Sequence, residues 1–262
     1  MTQLSDGAAT LTVRIDDRVL TAVPDYVLGV LAVALVEVVP APPAVSAMLT
    51  AAEDALHGAG LDKAGVADLP GIAAWREAYR AVGVNPNRFP CAAESISRRV
   101  AKGDRLPRIN ALVDLCNAVS LDTALPVASC AVDGLTDLVV RPADGTETYL
   151  PLGVPDAPEH PEPGEVVYAD ADGRAHSRRW NWRQGHLVRT DLGPHALLLT
   201  VESAHPGGRA EVVDALARLG GVLAEMSAGL PQGAVLDRDA TSAVLRTAGP
   251  LSPAGSNGRS RR

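Results

Sequence analysis

The sequence predicts an α+β domain, with helices and antiparallel strands in separate blocks. Three observations point there. Between Ala41 and Ala124, apolar residues recur at helical spacing. From Leu125 onward, apolar and polar residues alternate between Asp-Gly turns. Hydrophobic residues make up 47% and charged residues 21% of the 262, an ordinary globular balance in a chain long enough to bury a sizeable core.

The elements follow in order. "TLTVRI" (Thr10 to Ile15) alternates as a half-buried strand does. "VPDY" breaks that pattern. The apolar run from Val27 to Val39 then reads as a buried central strand, too short to span a bilayer. "APPAVSAMLTAAEDALHGAG" sets Val45, Met48, Leu49, Ala52 and Leu56 on one helical stripe behind its prolines. "PGIAAWREAYRAVGV" does the same with Ile72, Trp75, Tyr79 and Val82, and Gly83 is its stop. Two more helices cover "CAAESISRRVAKG" and "INALVDLCNAVS".

In the second half, "TDLVVRPADGTETYLPLG", "GEVVYADADGRAHSRRW" and "HALLLTVES" read as strands, with turns at Asp144-Gly145 and Asp172-Gly173. "GVPDAPEHPEPG" is a surface loop. An amphipathic helix runs from about Arg209 to Ala228 with Val212, Leu216, Leu219 and Leu223 inward. "QGAVLDRDATSAVLRTAG" is expected to add a short helix, and "PLSPAGSNGRSRR" a disordered tail. On this reading residues 1–230 form the domain, 231–248 an extension and 249–262 the tail.

The formal net charge of -7 argues against a protein that coats nucleic acid nonspecifically, but leaves room for a local basic groove. No opening segment joins positive charge to an apolar core, so no signal peptide is expected. Cys91, Cys116 and Cys130 lack metal-ligand spacing, which suits free thiols in the cytoplasm. A P-loop, a dinucleotide fingerprint and an HExxH motif are all missing, so neither cofactor nor metal is expected.

Four constellations can carry chemistry. Arg98, Arg99, Lys102, Arg105 and Arg108 crowd one stretch; they form either a solvated face or a phosphate-contacting patch. Asn110, Asp114 and Asn117 share one helical face, and such short polar side chains are poor helix formers. They either bond neighbouring loops or wall a pocket. In "RRWNWRQGH", a strand would point Arg179, Asn181 and Arg183 one way and Trp180 and Trp182 the other, giving a packed face or a stacking platform. Glu202 ends the apolar run "LLLTVES". A carboxylate there is a site residue, a surface Glu, or an ion pair with Arg179 or Arg183. Ser129 and Cys130, in a small-residue turn after Pro126, are weaker nucleophile candidates.

Taken together, "PDYVLGVL", "IAAWREAYRAVGVNPNRFPCAAESISRRV", "LPRINALVDLCNAVSLDTALPVASCAVD", "EVVYADADGRAHSRRWNWRQG" and "ALLLTVES" resemble the B3/4 domain. That domain occurs in the β subunit of bacterial phenylalanyl-tRNA synthetase and in freestanding proteins, and this sequence looks like a freestanding member from Leu11 to Ala228. The resemblance implies an α+β domain with a β-sandwich core of mostly antiparallel strands flanked by helices. In the synthetase, the cleft of this domain hydrolyses tRNA mischarged with tyrosine. Glu202 matches the carboxylate that follows an apolar strand in that cleft. The turn that carries a histidine in the synthetase is "LPVASCAVD" here, without one.

The resemblance implies two candidate functions. One is a trans-acting aminoacyl-tRNA deacylase without aminoacylation activity. The other is a non-catalytic module that binds tRNA or an amino-acid-like ligand. The implied partner is the aminoacylated 3′ end of tRNA, with no DNA or membrane partner. Glu202, Asp114 and Cys130 are the candidate catalytic residues. Asn110, Asn117, Ser129, Arg179, Trp180, Asn181, Trp182 and Arg183 are candidate substrate contacts, and the five clustered cations candidate RNA contacts.

Overall fold

The computed structural model describes residues 9–227 and 229–247. The first half supplies β1 (Ala9–Ile15), α1 (Asp17–Ala22), β2 (Val27–Val38), α2 (Pro43–Gly58), α3 (Lys63–Ala67), α4 (Pro70–Ala81), α5 (Ala92–Ala101) and α6 (Ala111–Thr123). The second half opens with β3 (Val127–Ala131), β4 (Asp137–Pro142), β5 (Thr148–Tyr149), β6 (Val166–Ala169) and β7 (Arg174–Ala175). It closes with β8 (Ser177–Arg178), β9 (Arg183–Gln184), β10 (Gly193–Ser203), α7 (Gly208–Met226), β11 (Gln232–Leu236) and β12 (Ser242–Thr247).

Two sheets form the frame, in strand order β12-β1-β4-β6-β7-β5 and β11-β2-β10-β3. Their pairs are antiparallel except β1 with β4 and β5 with β7. The period-2 rule explains how they stack. On β2, Leu28, Val30 and Ala32 enter the core shared with β1, β4, β6 and β12. Val27, Leu31 and Val33 enter a second core with α6 and α7. β10 divides likewise, with Ala196 and Leu198 inward and Leu197, Leu199 and Val201 toward the helices. The second sheet is therefore the middle of three layers, and its two central strands are buried on both faces. This is why "VLGVLAVALVEV" and "HALLLTV" read as nearly continuous apolar runs.

Gly29 marks the closest approach of helix to sheet. A Cβ there would lie 2.4 Å from Val212 Cγ1 and 2.8 Å from Leu216 Cδ1, so only glycine lets α7 lie flat on β2.

Three expectations need correction. "QGAVLDRDATSAVLRTAG" contains two strands instead of a short helix: β11 and β12 add an edge to each sheet, and Asp237 to Ala240 forms the turn between them. "LPVASCAVD" is no turn, because Val127–Ala131 is strand β3, paired with β10. Its small residues follow from lying beside a cavity. "RRWNWRQG" is a hairpin and not a single strand, as described below. The tail expected at 249–262 lies outside the described residues.

Candidate active site

The period-2 rule that builds the layers also places the site. Thr200 and Glu202 have the parity of Ala196 and Leu198, so their side chains face the other sheet. Across the ladder, β3 pairs Cys130 with Leu198 and Ala128 with Thr200, which puts those residues on the same face. Between this end of the two sheets lies a cavity of about 200 Å³. Apolar residues such as Val113, Leu138 and Val188 dominate its walls, with Glu202, Tyr168, Asn117 and Asn181 as polar insertions.

Glu202 is buried, and two donors hold it. The Tyr26 hydroxyl donates to Oε2 at 2.8 Å, and the Asn181 amide donates to Oε1 at 3.3 Å. Asn181 is itself fixed by the Tyr79 hydroxyl, which donates to its Oδ1 at 2.8 Å. The Tyr26 and Tyr168 hydroxyl oxygens are 3.5 Å apart. Among the described residues no arginine pairs with Glu202, so the partnership with Arg179 or Arg183 is not formed. Burial pushes its carboxyl up to about 7, against the opposing hydrogen bonds from Tyr26 and Asn181. A carboxylate poised there can exchange a proton at neutral pH.

The aromatic residues behind this group are packed edge to face. Trp180 lies 4.8 Å from Tyr26 and 5.1 Å from Trp75, centroid to centroid, and Trp75 is 5.9 Å from Tyr79. All four rings are fully buried. They give the two network tyrosines a rigid mount.

The hairpin of β8 and β9 delivers Trp180 and Asn181. Ser177 pairs with Gln184 and Arg178 with Arg183, leaving Arg179 to Trp182 as the loop. Strand alternation fails because Arg179 and Trp180 take positive φ, 44° and 65°. Such backbone is strained for side-chain-bearing residues, by ~1–3 kcal/mol each, and is characteristic of functional sites. Its effect is to send Trp180 into the core while Trp182 stays half-buried at the cavity mouth. Glu165 secures the turn, accepting from the Arg179 backbone N–H at 2.7 Å and from Arg178 Nε at 2.7 Å.

Eight of the candidate residues line the cavity. Asn117, Ser129, Cys130 and Glu202 come from helix and sheet, and Trp180, Asn181, Trp182 and Arg183 from the hairpin. Arg179 stands beside the mouth, its guanidinium carbon 5.1 Å from the Trp182 ring centroid. Cys130 is held as a thiol, because burial and nearby Glu202 push it up to about 12; a thiolate nucleophile is not available at neutral pH.

The rest lie elsewhere. Asn110 is the N-cap of α6, accepting from the Leu112 and Val113 N–H groups and donating to the Thr190 carbonyl. Asp114 accepts from the Ile109 N–H at 2.9 Å within the same first turn. These two are therefore capping residues, not cavity walls. Most of the basic cluster is committed to carboxylates. Arg105 and Arg108 pair with Glu53, and Arg98 pairs with Glu94. Arg99 and Lys102 are exposed, without an acidic partner among the described residues. They sit toward the far end of α5 from cavity-lining Ala92, roughly 10 to 15 Å away along the axis at about 1.5 Å per residue.

Sequence reasoning missed Tyr26, Tyr79 and Tyr168, which are brought to Glu202 and Asn181 only in three dimensions. It also passed over Arg88 and Phe89 beside the cavity mouth, where the Phe89 ring meets that of Trp182 edge to face and Arg88 lies over the Phe89 ring. The signal for these two was present: Phe89 is the chain's single phenylalanine and stands in the loop string "NPNRFP". His176 lines the cavity, but its Nε2 is bonded to Asp170 at 2.9 Å and its Nδ1 is sealed from solvent.

A two-sheet sandwich with helices on its outer face and a buried carboxylate in a cavity between the sheets is an α+β domain. Residues 74–211, more than half of the chain, match the B3/4 domain family, and the chain belongs to it. Among solved structures, an N-terminal fragment of the phenylalanyl-tRNA synthetase beta-subunit from Pyrococcus horikoshii is similar at 12% identity and a TM-score of 0.43. The likeness covers 94% of this chain and 56% of that one. No curated protein matches the sequence. Among the described residues, no helix is long and apolar enough to cross a membrane.

Proposed function

We propose that this protein hydrolyses the ester of mischarged aminoacyl-tRNA in trans and does not charge tRNA. The observation that carries the reading is Glu202: a buried carboxylate, poised near neutrality, inside a small and mostly apolar cavity. Membership of the B3/4 family supports an RNA-linked ester as the substrate. The apolar walls suit an amino acid side chain. The ester is already reactive, so positioning and a base of modest strength suffice.

In this mechanism Glu202, as carboxylate, orients a water molecule and accepts its proton as the water oxygen bonds to the ester carbonyl carbon. Collapse of the tetrahedral intermediate breaks the bond to the ribose oxygen, which leaves with the proton from Glu202. Tyr26 and Asn181 hold the carboxylate in place. The thiol of Cys130 has no covalent role.

The test is release of amino acids from a panel of correctly and incorrectly charged tRNAs, with Glu202→Gln and Glu202→Ala alongside. Selective release of one amino acid, lowered at least 100-fold in both variants, is expected for a general base. Turnover that survives Glu202→Ala would remove Glu202 from the mechanism. No release from any tRNA by the folded protein would favour a non-catalytic binding module.

A further inference from the structure

A second cleft, of about 620 Å³, opens between α3, α4, α5 and the loop that joins α4 to α5, and it shares no lining residue with the Glu202 cavity. Two arginines form its floor. Arg76 on α4 and Arg98 on α5 have side chains only 13% exposed, and both donate to one oxygen, Oε1 of the fully buried Glu94. The Arg76 contact is 2.7 Å. Arg76 turns its other terminal nitrogen to the Asn87 side-chain oxygen at 2.6 Å. Neither guanidinium grips the carboxylate as a two-pronged fork, and Arg98 Nε has no partner among the described residues.

Charges taken out of water are normally matched by opposite charge. Here two guanidiniums share one carboxylate, so the floor keeps an excess of positive charge. The rim carries both signs. Lys63 and Arg80 stand there with Asp62, Asp68 and Glu77. Arg80 pairs with Glu77, and Asp62 accepts from the Gly65 N–H as the cap of α3. All five rim groups are exposed, so water and salt screen them and the floor sets the field inside the cleft. We infer that Arg76 and Arg98, joined by Lys63 at the rim, bind the phosphate group of a small soluble phosphomonoester. Guanidiniums with unused N–H groups match pairs of phosphate oxygens, and a lysine adds a point charge. A phosphomonoester offers three strong acceptor oxygens for these three cations. The volume lies within the roughly 300–1,000 Å³ of small-molecule sites, which leaves room for an organic body beyond the phosphate.

The cleft is separate from the proposed hydrolytic centre, so its test reads binding and not turnover. The probes are glycerol 3-phosphate, inorganic phosphate, acetate and a single-stranded RNA pentamer without terminal phosphates, each titrated into the full chain by calorimetry. Glycerol 3-phosphate is expected to bind with a Kd below about 1 mM, and inorganic phosphate within about tenfold of it. Acetate and the pentamer are expected to bind at least tenfold more weakly than glycerol 3-phosphate. Arg98→Lys keeps a charge beside Glu94 but loses the fork, and is expected to weaken glycerol 3-phosphate about tenfold. Lys63→Ala, at an exposed position that leaves folding intact, is expected to weaken it about threefold. Arg99→Glu with Lys102→Glu, outside the cleft, stays within about twofold of wild type.

No heat of binding from either phosphate with the folded protein overturns the site. Binding that neither Arg98→Lys nor Lys63→Ala weakens shows an adventitious ion only. Acetate binding as tightly as glycerol 3-phosphate makes the cleft a carboxylate site and overturns the phosphate assignment. A pentamer that binds more tightly than glycerol 3-phosphate, and loses affinity in Arg98→Lys, makes it a contact for the RNA backbone and overturns the small-molecule assignment.

Discussion

Glu53 and Glu202 are both buried carboxylates, and the protein treats them in opposite ways. Glu53 accepts from Arg105, Arg108 and the Leu106 backbone N–H, and these donors hold its carboxyl down at about 2 in spite of burial. Among the described residues Glu202 meets one hydroxyl donor, one amide donor and no cation, and burial wins, pushing it up to about 7. The arginines divide along the same line. Those near Glu53 are spent on structure, whereas Arg88, Arg179 and Arg183 stand near Glu202's cavity stacked on aromatic rings. Charge in a sequence therefore says little about free charge. What matters is whether a partner folds against it.

The sharpest test separates the two carboxylates by pH. Glu202 has its carboxyl raised in the folded state, so its contribution is fully present below about pH 4.5 and is lost as pH rises toward 7. That loss is on the order of 3 kcal/mol at most. Glu202→Gln is expected to melt above wild type at pH 8 and to converge with it at pH 5. Identical pH profiles for the two proteins would show that Glu202 is not buried as a poised acid.

Glu53 has the opposite sign. Its carboxyl is lowered, so its contribution is present above pH 4.5 and lost as pH falls toward 2. Glu53→Gln is expected to cost about 2 kcal/mol at pH 7 by urea unfolding, since its arginine partners are partly exposed and screened. A variant as stable as wild type at pH 7 would erase the contrast.

The two tryptophans and the unpaired cations of α5 extend the comparison. Trp182→Ala removes a half-buried ring that no core cluster includes, so a stability change below about 1 kcal/mol is expected in thermal melts. Trp180→Ala, in the buried aromatic group, should cost about 3–5 kcal/mol. Comparable losses for the two would mean that both tryptophans serve the core alone. Smallest of all, Arg99→Glu with Lys102→Glu is expected to stay within about 0.5 kcal/mol of wild type.

Much of the frame was legible because its signals are local. The run from Val27 and the run ending at Ser203 are apolar on both faces, and each became a central strand of the middle layer. The helical stripes of α2, α4 and α7 were visible for the same reason. The hairpin was not, because its loop depends on two residues with positive φ that no propensity favours there. The strands of 232–247 were also misread. Short edge strands owe their state to pairing with β1 and β2, not to their own periodicity. At the site, Glu202 was legible as a carboxylate out of place in an apolar strand. Asn110 and Asp114 were overread: their spacing reflects the capping of a helix end, and only Asn117 reaches the cavity.

By itself, the sequence determined the class of domain, the central strands and the candidate carboxylate, because hydrophobic period and an ionisable group in an apolar run are properties of neighbouring residues. Only the tertiary structure decided which arginines are free, which tryptophan is core and which is mouth, and which tyrosines hold Glu202. Those outcomes depend on partners far apart in the chain, such as Tyr26 and Glu202 or Arg105 and Glu53, and burial energies act on the groups that folding brings together.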